Sequence, residues 1–153
     1  MRVELGAGVT KMFTLGEAQM LLPVLEDLLL RARDAATRAA ELEAEMQELN
    51  QRIFLAGGMY VNVVAAARRR AERDKAAQEM KDALGEIEAI GVRVQDFEAG
   101  LLDFPCLADG RMVLLCWKLG EPAITHWHGE EDGVEGRRPV ETLFGKPERE
   151  RPN

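Results

Sequence analysis

From Leu21 onward the apolar positions recur in steps of four and three: Leu21, Leu25, Leu28, Ala32, Ala35, Ala39, Leu42, Met46, Leu49 and Ile53. That spacing is the a/d seam of a heptad repeat and predicts one long amphipathic helix. The opposite face carries Glu26, Arg33, Arg38, Glu41, Glu45 and Glu48. Thr14-Leu15-Gly16-Glu17 marks the start as a capping box: the Thr14 hydroxyl accepts from the Glu17 N–H and the Glu17 carboxylate reaches back to the Thr14 N–H. Phe13, one residue earlier, is placed to staple onto Ala18, and Pro23 predicts a kink or restart near Leu22. Residues 1–12 read as a loose lead-in. The first helix is expected over 13–55; at about 1.5 Å per residue its stretch from Leu15 to Phe54 is roughly 60 Å long, and its apolar seam needs a partner.

Ala56-Gly57-Gly58 ends the helix, and the short connection implies an antiparallel neighbour over 60–90. Its apolar ends are Met59, Val63 and Ala66 on one side and Ala77, Met80, Leu84 and Ile87 on the other. The middle, Arg68-Arg69-Arg70-Ala71-Glu72-Arg73-Asp74-Lys75, is almost wholly charged and is expected to pair with the glutamates of the first helix.

After Gly91 the period changes from 3.6 to 2. Val92, Val94 and Asp96 begin a strand, Gly100–Leu107 continues one, and Asp109-Gly110 is a type I′ turn signal, because both central residues of that turn need positive φ. Arg111–Leu119 and Ala123–His128 complete a β-meander over 92–128, with Gly120-Glu121-Pro122 as the second turn. The fold class is therefore α+β: a coiled-coil-like antiparallel helical hairpin followed by a small antiparallel meander of three to four strands. Residues 1–145 are expected to form a single domain and 146–153, rich in Glu, Arg and Pro, a disordered tail.

Turn chemistry proposes a register. With Asp109 and Gly110 central, Ala108 faces Arg111, Cys106 faces Val113 and Asp103 faces Cys116. With Gly120 and Glu121 central, Trp117 faces Ile124 and Val113 faces His128. Side chains alternate across a strand. One face then holds Leu102, Phe104, Cys106, Val113, Leu115, Trp117, Ile124, His126 and His128. The other holds Leu101, Asp103, Leu114, Cys116, Thr125 and Trp127, so Cys116 lies away from both histidines. Both faces carry apolar groups and call for cover.

Composition narrows the function classes. Net charge is −7 over 153 residues, which argues against a general phosphate-binding surface and so against nucleic acid as partner. No run approaches the ~20 apolar residues of a membrane helix, and the N-terminus lacks the apolar core of a signal peptide. Cys106 and Cys116 form no CxxC pair and are expected as reduced thiols in the cytoplasm.

Phe13-Thr14-Leu15 with Ala18 and Leu21-Leu22-Pro23, then Gly100-Leu101-Leu102-Asp103-Phe104-Pro105, then Leu115-Cys116-Trp117-Lys118-Leu119-Gly120-Glu121, Ile124, Trp127-His128 and Gly136-Arg137 follow one another in a distinctive order. Over roughly residues 13 to 140 the chain resembles the bacterial domain of unknown function 2203 family. The resemblance implies a small cytoplasmic bacterial protein and brings no reaction, cofactor or substrate. Asp103, Cys116, Trp117, Glu121, His128 and Arg137 match the family pattern. His126 stands where an aromatic residue is expected, so no role is carried over to it.

Three chemistries compete at the meander. His126 and His128, two residues apart on a strand, point the same way and, with Glu121 or Cys106, offer ligands to a divalent metal such as zinc. The bland counterpart is a structural hydrogen bond at His128 and partial exposure at His126. Asp103 sits among apolar neighbours and needs a partner, with Arg137 or Lys118 the obvious cation. The alternative is catalytic: Asp103, Glu121 and His128 converging as acid, base and orienting group. Cys116 reads as core, and Trp117 and Trp127 as core or as the floor of a small-ligand pocket. The leading expectation is a non-enzymatic protein that forms a homodimer or higher homo-oligomer through the hairpin, since its seam exceeds what the charged middle of the second helix covers.

Overall fold

The computed structural model describes residues 2–5, 8–57 and 63–144. Gly58, Met59 and Tyr60, where the second helix is expected to begin, and the tail from Lys146 lie outside the described residues. The chain opens with two short strands, β1 (Arg2–Leu5) and β2 (Gly8–Lys11), paired antiparallel with Arg2 opposite Lys11. The expected loose lead-in is therefore a hairpin. β1 alternates polar and apolar residues, the strand period, over a length too short to stand out against a loop, and β2, Gly-Val-Thr-Lys, does not alternate.

Two long helices follow, α1 (Leu15–Leu55) and α2 (Val63–Ile90), packed against each other, and then the strands β3 (Arg93–Asp96), β4 (Leu101–Ala108), β5 (Arg111–Lys118), β6 (His126–Gly129) and β7 (Arg138–Pro139). A single 3-10 turn (Val134–Gly136) precedes β7, and α3 (Glu141–Phe144) ends the described chain. The five strands form one antiparallel sheet in the order β3-β4-β5-β6-β7. The α+β architecture is as expected, with one strand more than the expected maximum of four. The extra strand, β7, is only two residues long and leaves no periodic signal. No helix of the described residues is long and apolar enough to cross a membrane.

Contacts divide the chain into two compact units, Asp27–Gly85 and the combination of Met1–Glu26 with Glu86–Asn153. In the first, the seam reads as expected on α1: Leu28, Ala32 and Ala35 are buried, and Leu42, Met46, Leu49 and Ile53 half-buried. On α2 the expected Ile87 is buried and Ala77, Met80 and Leu84 are half-buried, while the deepest positions also include Ala76 and Ala83, which the sequence did not single out. Two seam positions hold Arg69 and Arg73, which hid the repeat from a count of apolar residues. The charged middle is continuous helix. Arg73 donates to Glu43 at 2.7 Å and Arg69 to Glu45 at 3.1 Å, so the basic run pairs with α1 as anticipated.

In the second unit the capping box closes as predicted, with Glu17 N–H to Thr14 Oγ1 and Thr14 N–H to Glu17 Oε1 both at 3.0 Å. Burial of Phe13 is spent on Phe104, ring to ring at 5.7 Å and edge-on. Pro23 neither stops nor restarts α1, which runs unbroken through it. Gly91, at φ 109°, ends α2: its N–H donates to Glu88 O and that of Val92 to Ile87 O, the double bond of a Schellman cap. Leu101–Cys106 of β4 are buried on both faces. Pro105 is tolerated there because β3 pairs with β4 only as far as Asp103, leaving that edge without a neighbour to receive an N–H. The Pro105 carbonyl accepts instead from Phe13 N–H at 2.7 Å.

Candidate functional site

The β4–β5 turn forms as its sequence requires, with Asp109 at φ 52° and Gly110 at φ 75°. It sets the expected register: Ala108 opposite Arg111, Cys106 opposite Val113, Asp103 opposite Cys116. The β5–β6 register is one residue away from the expected one. Leu114 pairs with His128, Leu115 with Trp127 and Cys116 with His126. The cause is the connection, which is a folded loop and not a two-residue turn. Trp117 Nε1 donates to the Glu121 carbonyl at 2.9 Å, and Lys118 N–H donates to Glu121 Oε1 at 2.9 Å. Ile124 N–H donates to Gln19 Oε1 at 3.0 Å, and β6 starts only at His126.

A slip of one residue reverses the facing of a whole strand. Both histidines therefore move to the face of Cys116, and Trp127 to the face of Phe104 and Trp117. Arg93, Asp103, Cys116, His126 and Pro139 now form one row across all five strands. His128 stands diagonal to that row and crosses above β5. Its Nε2 meets Asp103 Oδ1 at 3.2 Å, and its Nδ1 meets the Gly129 carbonyl at 2.8 Å. Asp103, Cys116 and His128 are each no more than 2 % exposed.

The hydrogen-bond geometry counts the protons. A carbonyl oxygen only accepts, so Nδ1 carries hydrogen and donates to Gly129 O. The bond between Nε2 and Asp103 then holds one further proton, residing on imidazolium or on carboxylic acid. Either way the pair is neutral as a unit, which lowers the cost of burying it. Burial raises the Asp103 pKa above the usual carboxylate value, opposed by the charge and hydrogen bond of His128 and by the charge of Arg93. Cys116 is raised by burial and by Asp103, while a hydrogen bond and the charge of Arg137 pull it down. Cys106, on the opposite face with Val113, is raised by burial alone and has its Sγ 3.9 Å from Leu107 O.

Partner assignments follow. Asp103 takes His128 as its direct partner, where the sequence pointed to Arg137 or Lys118. Arg137 serves Cys116 instead, and Lys118 contributes its backbone N–H to Glu121. His126 lies on the His128 face but is bonded through Nδ1 to Thr125 Oγ1 at 2.8 Å. Glu121 holds the loop through its carboxylate and its carbonyl. Trp117 and Trp127 are buried in one face, Trp127 donating to Thr142 Oγ1 at 2.9 Å with Arg138 stacked 5.3 Å from its ring. Among the described residues, Asp103, Cys116 and His128 are the group whose ligand atoms converge, all lying within 4.8 Å of one another. The member the sequence missed is Cys116, read as core. Its signal was Asp103 directly opposite it; only the β6 register hid the histidine.

No curated protein and no solved structure matches the chain. The family model described as Uncharacterized conserved protein (DUF2203) matches residues 11–140. That span contains both helices, the whole sheet and every residue of the buried cluster, and the chain belongs to this domain of unknown function 2203 family.

Proposed function

We propose that the protein works by association, as a non-enzymatic interaction protein whose helical hairpin binds a second copy of itself. One observation carries the reading. Phe54 and Leu55 at the end of α1 are 80 % and 75 % exposed, and Val63 and Val64 at the start of α2 are 67 % and 66 % exposed. Large apolar side chains grouped at one end of a hairpin mark an interaction surface. The half-buried Leu42, Met46, Leu49 and Ile53 of α1 lead toward the same end. Closed two-fold pairing is the commonest way for a chain to cover such a surface. Cytoplasmic residence fits this reading, since Cys106 and Cys116 are free thiols on opposite faces of the sheet and the fold uses no disulfide between them. Size-exclusion chromatography with light scattering tests the proposal. We expect at least twice the 17.0 kDa of one chain, reduced to the monomer by Phe54→Glu with Val63→Glu. A monomeric native chain contradicts it.

A second reading, an acid/base enzyme at the sheet, is favoured by the 3.2 Å contact of His128 with Asp103. It requires His128 to reach solvent. Exchange of the imidazole C2 hydrogen as fast at His128 as at the half-buried His126 supports it, and strong protection of His128 removes it.

A further inference from the structure

The Asp103–Cys116–His128 cluster reaches beyond the association reading and stands on the sheet alone. We infer that it is a binding site for a thiophilic divalent metal of the zinc class, held by the Asp103 carboxylate, the Cys116 thiolate and His128 Nε2.

Placement is the first support. The three ligand atoms come from β4, β5 and β6 on one face and lie within 4.8 Å of one another. A tetrahedral zinc ion has bonds of about 2.0–2.3 Å, so its ligand atoms sit roughly 3.3–3.8 Å apart. The 3.2 Å between Asp103 Oδ1 and His128 Nε2 is close to that spacing as it stands. Cys116 Sγ lies within 4.8 Å of both, so closing on a common centre requires a shift of about 1 Å.

Orientation is the second. A metal-binding histidine usually donates its other ring N–H to a carbonyl or carboxylate, which fixes the tautomer. His128 does this already, Nδ1 donating to Gly129 O at 2.8 Å and leaving Nε2 as the ligand. The strand segment behind it is held too, because Gly129 N–H donates to Asp132 Oδ2 at 3.2 Å. A Cβ at Gly129 would lie 2.7 Å from that same oxygen, so a side chain there would push the Asp132 carboxylate away from the N–H it accepts from.

Chemistry is the third. One sulfur, one nitrogen and one oxygen suit zinc and its transition-metal neighbours. Magnesium and calcium prefer oxygen throughout. Charge also balances: a dication replaces the thiol proton and the proton shared by Asp103 and His128. Two protons leave, so the summed charge of the three ligands and the ion stays at zero, with Arg137 beside Cys116 and Arg93 near Asp103 as before. Three protein ligands leave a fourth position for an exogenous donor.

Cobalt(II) loading of the full chain tests the inference. Chelator-treated protein should take up one cobalt or zinc per chain and show a thiolate-to-cobalt charge-transfer band in the near ultraviolet. Magnesium and calcium in tenfold excess should leave the band unchanged. The band should persist in Cys106→Ser, which leaves Cys116 as the one remaining thiol, and vanish in Cys116→Ser. Absence of the band from folded wild-type protein overturns the inference, as does its loss in folded Cys106→Ser. Because the decisive spectra are those of the wild type and Cys106→Ser, instability of Cys116→Ser does not blunt the test.

Discussion

The helical hairpin of Asp27–Gly85 and the five-stranded sheet are built on opposite terms. The hairpin repeats one local rule every three or four residues, and its cross-helix ion pairs are substantially exposed. Arg73 keeps 30 % and Glu43 45 % of side-chain surface in the tighter of them. The sheet depends on pairings between residues distant in sequence, and its polar pair is enclosed, His128 and Asp103 keeping 1 % and 2 %. An exposed pair contributes little and is screened by salt. A buried pair makes each partner depend on the other. The hairpin therefore tolerates change, while the sheet concentrates stability and chemistry in a few side chains.

Substitutions should separate the two regions in order of size. Phe104→Ala, which removes a fully buried ring and its contact with Phe13, should cost about 3–5 kcal/mol in urea unfolding. A loss near that of a surface substitution would mean the sheet core is elsewhere. His128→Ala should cost roughly 3 kcal/mol, because Asp103 is left buried without its partner. A double-mutant cycle with Asp103→Ala should return a large part of that loss, and simple additivity would deny the coupling. Arg73→Ala should produce the smallest change, a slight fall in Tm that disappears in concentrated salt. A fall as large as that of His128→Ala would erase the contrast between the regions.

Legibility in the sequence follows the same divide. The α1 seam, the Thr14–Glu17 cap, the Gly91 stop and the Asp109-Gly110 turn are all set by residues within a few positions of one another, and each forms as read. The β4–β5 ladder was equally accessible, since a two-residue turn fixes every pair beyond it. Two kinds of information were out of reach. Arg69 and Arg73 occupy seam positions, so a count of apolar residues finds Met80 and Ile87 but misses the seam through the charged middle and the burial of Ala76 and Ala83. The β5–β6 loop takes its shape from the Trp117 indole, the Glu121 carboxylate and Gln19, a residue on α1 far away in the chain. No turn rule contains that last contact, and the single-residue error it caused sent both histidines to the wrong face. The candidate site was thus named in parts, Asp103 and His128 among them, without the geometry that joins them to Cys116.

That register carries the account of the sheet, and nuclear Overhauser contacts across β5 and β6 measure it directly. Backbone contacts should link Cys116 with His126 and Leu114 with His128, placing the His128 ring beside Asp103. Contacts linking Trp117 with Ile124 and Val113 with His128 would put both histidines on the opposite face and dissolve the site.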